Sequence, residues 1–120
     1  MKVIICDDQA IVRDGLTMLL KLEPDIQIIG TASEGATAVE LVDKENPDLV
    51  LMDLKMPVLD GYEAAKQIKA LLPKLPIIAQ TAHALTTDRD KVKKEGFAGY
   101  ISKPIKIEEL LAIVDKYKPL

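Results

Sequence analysis

Short apolar runs alternate with longer stretches of helical periodicity along the whole chain. The runs are four or five residues long and are bounded by Asp, Gly, Pro or Ser, as buried strands are. They are KVIIC (2–6), IQIIG (26–30), DLVLM (48–52), LPIIA (75–79) and GYIS (99–102). Runs of this length predict five β-strands.

Between these runs, apolar residues recur at the three- and four-residue spacing of amphipathic helices. In chain order the stripes are Val12, Leu16, Leu19 and Leu20; Ala38, Leu41 and Val42; Ala65, Ile68 and Leu72; and Ile107, Leu110, Leu111 and Val114, with Tyr117 near the end of the last one. The stretch from Thr86 to Glu95 is mostly charged around Val92. We therefore expect its helix to be the most loosely packed.

Residues typical of helix ends agree with these stripes. Asp60 followed by Glu63 matches a capping box at the start of the third helix. Asn46, which precedes a proline, and Gly96 are typical of helix C-termini. The pattern predicts an α/β domain in which helices cover both faces of a doubly wound parallel sheet. A chain of 120 residues suits one such domain, spanning 1–120.

Composition narrows the classes of function. Hydrophobic residues make up 48% and charged residues 29%, and no apolar run approaches the length of a bilayer span. The N-terminus reaches acidic residues too early for a signal peptide, and a single cysteine, Cys6, cannot form an internal disulfide. We expect a cytoplasmic protein that does not insert into a membrane. In this protein, Cys6 should behave as a small buried hydrophobic residue. A net charge of −3 and few aromatic residues argue against direct nucleic-acid binding.

Polar side chains cluster at the carboxyl ends of four predicted strands. Asp7 and Asp8 follow the first strand, Asp53 the third, Thr81 the fourth and Lys103 the fifth. Each alone has an ordinary explanation as a helix cap, a turn residue or a solvated lysine. The carboxyl ends of parallel strands share one edge of the sheet, however, so we expect these five side chains to meet in one shallow cleft.

Three carboxylates in one cleft require a counterion. Two such charges about 4 Å apart repel by about 1 kcal/mol in water and by about 4 kcal/mol at an effective dielectric constant of 20. Mg²⁺ prefers oxygen ligands and is commonly held by one or two carboxylates together with a phosphate. Asp53 could then attack phosphorus as a nucleophile, with Lys103 and Thr81 on the phosphoryl oxygens. The sequence contains no glycine-rich phosphate loop, so we expect a donor other than a tightly held nucleotide.

Four motifs in order resemble the receiver domain of bacterial two-component response regulators. They are CDDQ, LMDLKMPVLDG, AQTAHA and GYISKP. The resemblance covers essentially the whole chain and implies a flavodoxin-like sheet with strand order 2-1-3-4-5. It also implies phosphoryl transfer from a histidine kinase or a histidine phosphotransfer protein.

The same resemblance implies a metal site and an acceptor. Asp53 resembles the phosphoacceptor, and Asp8 and Asp53 resemble direct Mg²⁺ ligands. The backbone carbonyl of Lys55 would complete the protein ligands, and Asp7 would act mainly through water.

Further residues resemble the parts of a conformational switch. Thr81 matches the switch hydroxyl, Lys103 the phosphate-binding lysine and Tyr100 the switch aromatic residue. The resemblance also implies a cis peptide between Lys103 and Pro104. Phosphorylation would then alter the surface of the fourth helix, fifth strand and fifth helix, through which a homodimer could form.

Several alternatives remain open from the sequence. Lys55 and His83 occupy positions that tune phosphoryl lifetime in this family, but no rate follows from them. A metal-dependent phosphatase or phosphotransferase also uses an aspartyl phosphate, although 120 residues leave no room for a cap domain. A phosphorylation-independent interaction module would keep the fold. The residues do not distinguish a stand-alone regulator, an excised receiver and an engineered or reconstructed sequence.

Overall fold

The computed structural model describes residues 1–56, 59–81 and 86–118, and within 86–89 it describes the backbone alone. Strands and helices alternate from the first strand to the last helix. They are β1 (Lys2–Cys6), α1 (Ala10–Lys21), β2 (Gln27–Ala32), α2 (Gly35–Glu45), β3 (Leu49–Asp53), α3 (Gly61–Leu71), β4 (Ile77–Thr81), α4 (Thr86–Lys94), β5 (Gly99–Ser102) and α5 (Ile107–Lys116).

All five strands pair in parallel in one sheet of order β2-β1-β3-β4-β5. The predicted fold class and the strand order that the resemblance implies are both confirmed. Every residue of β3 and β4 is buried, because both strands lie inside the sheet and helices cover both of its faces. No helix among the described residues has the length and apolar character needed to cross a bilayer.

The core has two halves, one on each face of the sheet. Buried side chains of α1 and α5 pack on one face, and those of α2, α3 and α4 pack on the other. The predicted stripes contribute Leu16, Leu20, Ala38, Val42, Ala65, Ile68, Leu110 and Val114 as fully buried residues. Val92 is the buried side chain described in α4, which agrees with the thin apolar stripe expected there.

Three strands end later than the apolar pattern predicts. β2 ends at Ala32, β3 at Asp53 and β4 at Thr81, one or two residues beyond the predicted runs. The reason is backbone pairing, which hydrophobicity does not report: Asp53 lies opposite Gln80, and Thr81 lies opposite Ser102. Two polar residues of the predicted cleft are therefore held within the sheet itself.

Two helices end as predicted, at residues with positive φ. Asn46 caps α2 with φ 48°, and its backbone N–H donates to the carbonyl of Val42. Gly96, with φ 92°, follows α4. Glycine adopts this left-handed backbone conformation without steric penalty, and asparagine tolerates it better than most residues.

The start of α3 is packed directly against the end of β3. Asp60 Oδ1 accepts a hydrogen bond from the backbone N–H of Glu63 at 2.9 Å, which confirms the predicted cap. The next residue, Gly61, donates its N–H to the carbonyl of Leu54 at 3.0 Å. A Cβ at Gly61 would lie 2.3 Å from the carbonyl oxygen of Asp53, so only glycine fits this contact without displacing the backbone.

Candidate functional site

The carboxyl edge of the sheet brings the predicted polar residues together. Asp8, Asp53, Thr81 and Lys103 line one cleft of about 460 Å³. Asp7 lies at its base, fully buried. The convergence expected from strand topology is therefore present in the structure.

The three carboxylates are close enough to share one cation. One oxygen from each of Asp7, Asp8 and Asp53 lies within 4.8 Å of the others. Asp7 and Asp53 are buried, whereas Asp8 is exposed at the mouth of the cleft. An all-oxygen set of this kind suits a hard divalent ion such as Mg²⁺.

Lys103 joins two of these carboxylates. Its Nζ lies 3.1 Å from Asp7 Oδ2 and 3.6 Å from Asp53 Oδ1. Its backbone N–H donates to the carbonyl of Thr81 at 2.8 Å, which ties the residue to the end of β4. The peptide bond from Lys103 to Pro104 is cis, as the resemblance implies.

Asp7 is held by several contacts. Its Oδ1 accepts a hydrogen bond from the backbone N–H of Gln9 at 2.9 Å, while Oδ2 faces Lys103. The Arg13 guanidinium donates to its backbone carbonyl at 2.7 Å. Both carboxylate oxygens thus have protein partners, which suits Asp7 to orienting Lys103 and to an indirect role at a metal.

Asp53 is a carboxylate in an unfavourable environment. It is only 6% exposed, and burial, followed by the neighbouring charge of Asp7, raises its pKa to about 6. Lys103 acts in the opposite direction, as does a long hydrogen bond of 3.4 Å from the backbone N–H of Lys55. A bound cation would relieve this destabilisation of the charged form.

The remaining predicted residues lie around this centre. Thr81 is buried at the last position of β4 and faces the cleft, and the exposed Lys55 lies on its rim. Tyr100 is half-buried on β5 and packs against the half of the core that includes α4. His83 lies outside the described residues.

The sequence interpretation missed several residues that line the cleft, among them Gln80, Tyr62 and Lys91. Lys91 Nζ lies 4.3 Å from the centroid of the Tyr62 ring, and that ring meets Phe97 edge to face. Apolar periodicity does not distinguish Tyr62 and Lys91 from other helix residues. The apolar pattern gives no signal for Gln80 either, because pairing with β3 and β5 extends the buried strand over a polar residue.

Cys6 is a buried residue, as predicted. Its thiol lies 3.3 Å from the sulfur of Met56 and 3.6 Å from the carbonyl of Glu34. Burial, with the nearby carboxylate of Asp7, raises the pKa of this thiol to about 12. The group therefore stays protonated at neutral pH.

Comparison with known proteins agrees with this geometry. The transcriptional regulatory protein LnrK of Bacillus subtilis is 37% identical over 113 residues, which cover 94% of this chain and 51% of LnrK. The chain thus spans about half the length of the curated relatives it matches.

Solved structures give the same result over the whole fold. The response regulator domain of Thermotoga maritima CheB superimposes with a TM-score of 0.91 at 27% identity, covering 100% of this chain and 97% of that one. The receiver domain of the sensor histidine kinase PA1611 from Pseudomonas aeruginosa has a TM-score of 0.85 at 31% identity, covering 97% of this chain and 95% of that one. That structure contains a magnesium ion coordinated in the active-site cleft.

A model of the response regulator receiver domain matches residues 3–115, nearly the entire chain. The acidic cleft, the cis peptide and the strand order agree with that match. The chain belongs to the receiver domain family of two-component response regulators.

Proposed function

We propose that Asp53 accepts a phosphoryl group in a Mg²⁺-dependent reaction and that the chain, as a single receiver domain over 1–120, works as a phosphorylation switch. The observation that carries this proposal is the placement of three carboxylates within 4.8 Å of one another with the Lys103 ammonium 3.6 Å from Asp53. A cation and an ammonium beside one carboxylate are what transfer to an oxyanion nucleophile requires.

The metal ligands of the proposal are the carboxylates of Asp8 and Asp53 and the backbone carbonyl of Lys55. Asp7 would act through water, since Gln9 and Lys103 occupy its own oxygens. The donor set is oxygen only, as Mg²⁺ prefers, and the relative PA1611 carries magnesium in its cleft. When bound, the ion supplies positive charge for the phosphoryl oxygens.

The chain's own residues carry out the transfer. An oxygen of Asp53 attacks phosphorus, a new P–O bond forms, and the P–N bond of a phosphohistidine donor breaks, leaving the electron pair on the imidazole, which takes a proton from solvent. Lys103 neutralises a phosphoryl oxygen, and the Thr81 hydroxyl donates a hydrogen bond to another. The result is an acyl phosphate on Asp53.

The switch begins at Thr81, because β4 carries this residue directly toward α4. Movement of its hydroxyl toward the phosphoryl group makes room for Tyr100 to turn inward. The surface formed by α4, β5 and α5 then changes shape, and a homodimer through that surface is the proposed consequence. Among the described side chains of α4, Val92 is the buried one, which supports the role of this helix as the moving element.

The proposed partner is a histidine kinase or histidine phosphotransfer protein, in the cytoplasm and away from membrane or direct nucleic-acid contacts. Three large apolar side chains are exposed here: Ile11 and Met18 on α1, and Leu22 directly after it. An apolar groove that Ile11 shares with Pro104 reaches Lys103 at the edge of the cleft. A partner that brings its histidine to Asp53 could bury this surface.

The test is incubation with acetyl phosphate and Mg²⁺, followed by intact mass measurement. We expect one phosphoryl group on the wild-type chain and none on Asp53→Asn or in EDTA. Asp43→Asn, which removes an exposed carboxylate from α2, is the matched control and should be labelled like the wild type. Labelling of Asp53→Asn at the wild-type level would overturn the assignment.

The same samples separate a switch from an enzyme. A phosphatase would hydrolyse small phosphate esters over many rapid turnovers, whereas the proposed acceptor is labelled once and loses its phosphoryl group slowly. Rapid multiple turnover by the wild-type chain would contradict the proposal. Retention of partner binding by Asp53→Asn, unchanged by phosphorylation of the wild type, would instead indicate an interaction module.

A further inference from the structure

Gln80 has a buried side-chain amide that makes no hydrogen bond to any described residue. It is fully buried on β4, and neither Nε2 nor Oε1 of its side chain has a partner among the described residues. Buried side-chain amides are nearly always paired, and an exception calls for an explanation. Gln80 also borders the cleft that contains Asp53.

An apolar side chain would suit this position better in the resting protein. Gln80 faces the same half of the core as Ile78, two residues earlier on β4, and as its neighbour Ile101 on β5. Both isoleucines are buried. Methionine has nearly the same length as glutamine and would fill the site without an unpaired amide, so the carboxamide is unfavourable in the resting state.

The strand order places Gln80 between Asp53 and the backbone of Lys103. In the sheet, Gln80 is directly opposite Asp53 on β3, one strand spacing of about 4.8 Å away. Lys103 follows β5 yet reaches Asp7 beyond β1, so its side chain passes over the ends of β4 and β3. Gln80 therefore belongs to a strand that the lysine side chain crosses on its way to Asp7.

We propose that Gln80 is a positioning residue for Lys103, and that its Oε1 accepts a hydrogen bond from the Lys103 ammonium when Asp53 carries a phosphoryl group. In the resting state Asp7 and Asp53 hold that ammonium. Phosphorylation turns one Asp53 oxygen into part of a neutral acyl group and draws the lysine toward the phosphoryl oxygens. Gln80 then gains the partner it lacks, which favours the phosphorylated state.

This inference rests on the proposed function, and beryllium fluoride with Mg²⁺ tests the two separately. We expect Gln80→Met to raise the melting temperature in EDTA, because an unpaired amide is removed. We expect the same variant to bind beryllium fluoride about tenfold more weakly at saturating Mg²⁺, with a Mg²⁺ affinity within about twofold of wild type. A merely structural role would not separate these two affinities.

Two controls sharpen this test. Ile78→Val alters the same strand and the same core half without touching a polar atom, and it should leave beryllium fluoride binding unchanged. In a Lys103→Met background, Gln80→Met should cause no further loss, because the two residues act as one unit. Wild-type affinity in Gln80→Met would overturn the proposal, whereas failure of the wild type to bind beryllium fluoride would overturn the proposed function instead.

A measurement on the wild-type chain covers the case in which Gln80→Met does not fold. The sequence has four glutamines, so selective ¹⁵N labelling gives four side-chain amide signals. On addition of Mg²⁺ and beryllium fluoride, the Gln80 side-chain signal should shift, because its Oε1 then accepts a hydrogen bond. An unchanged Gln80 signal in a protein that binds beryllium fluoride would contradict the new hydrogen bond.

Discussion

At the scale of single residues, burial and the charge of Asp7 both act against the ionised form of Asp53. Its pKa is raised to about 6 from an ordinary value of 3.8. The folded state thus binds this proton more tightly than the unfolded state, so the ionised group destabilises the fold above about pH 6 and stops doing so as the pH falls toward about 4. We expect Asp53→Asn to raise the free energy of unfolding by about 1 to 3 kcal/mol near pH 7.5 without divalent ions.

Urea denaturation in EDTA at several pH values measures this effect. The difference between Asp53→Asn and wild type should shrink as the pH is lowered, because the wild-type carboxyl then becomes protonated as well. Asp43→Asn on the surface of α2 should stay within about 0.5 kcal/mol of wild type throughout. Equal stability of Asp53→Asn and wild type near pH 7.5 would contradict this electrostatic account.

Cys6 allows a second prediction at the same scale. Since its thiol is fully buried and its pKa is raised to about 12, both access and thiolate formation are suppressed in the folded chain. We expect a maleimide or disulfide reagent at neutral pH to react with Cys6 only at the rate of unfolding, and at once in denaturant. Rapid labelling of the folded chain, at a rate that does not depend on the free energy of unfolding, would contradict this prediction. It would mean that the reagent reaches Cys6 without unfolding.

At the scale of elements, the contact between α3 and β3 depends on a glycine. A Cβ at Gly61 would lie 2.3 Å from a backbone oxygen of Asp53, whereas a Cβ at Gly15 in α1 would meet nothing within 4 Å. Gly61→Ala should therefore lower the free energy of unfolding by about 1 to 3 kcal/mol, and Gly15→Ala should raise it by about 0.5 to 1 kcal/mol. Urea denaturation of both variants provides the comparison, and a stabilised Gly61→Ala would contradict the packing described.

Most elements could be predicted because their apolar spacing reflects burial on one face. The exceptions arise from backbone pairing between strands, which the spacing of apolar residues does not report. Leu75 is buried in the loop before β4 and therefore looks like part of the strand, while Gln80 and Thr81 belong to the strand and look like a loop. At Gln80 and Thr81, pairing with the neighbouring strands β3 and β5 determines the backbone conformation, and both residues border the cleft.

At the scale of the whole molecule, the composition of the site was largely predictable and its internal contacts were not. Parallel topology alone brings Asp7, Asp53 and Lys103 to one edge. It does not indicate that Lys103 lies nearer to Asp7 than to Asp53, nor that the side-chain amide of Gln80 has no partner among the described residues. Those features depend on side-chain paths across several strands, which only the assembled sheet fixes.

The last prediction concerns how a local change at Asp53 reaches a distant surface. Thr81 at the end of β4 leads into α4, whose described packing rests on Val92, so this helix can shift at lower free-energy cost than the interior strands. We expect Mg²⁺ with beryllium fluoride to change amide hydrogen exchange in α4, β5 and α5 and to leave β1 and β3 unchanged relative to Mg²⁺ alone. Asp53→Asn should show no such change, because the acceptor oxygen is absent. Identical exchange in the wild type with and without beryllium fluoride, under conditions where it binds, would mean that the cleft does not control this surface.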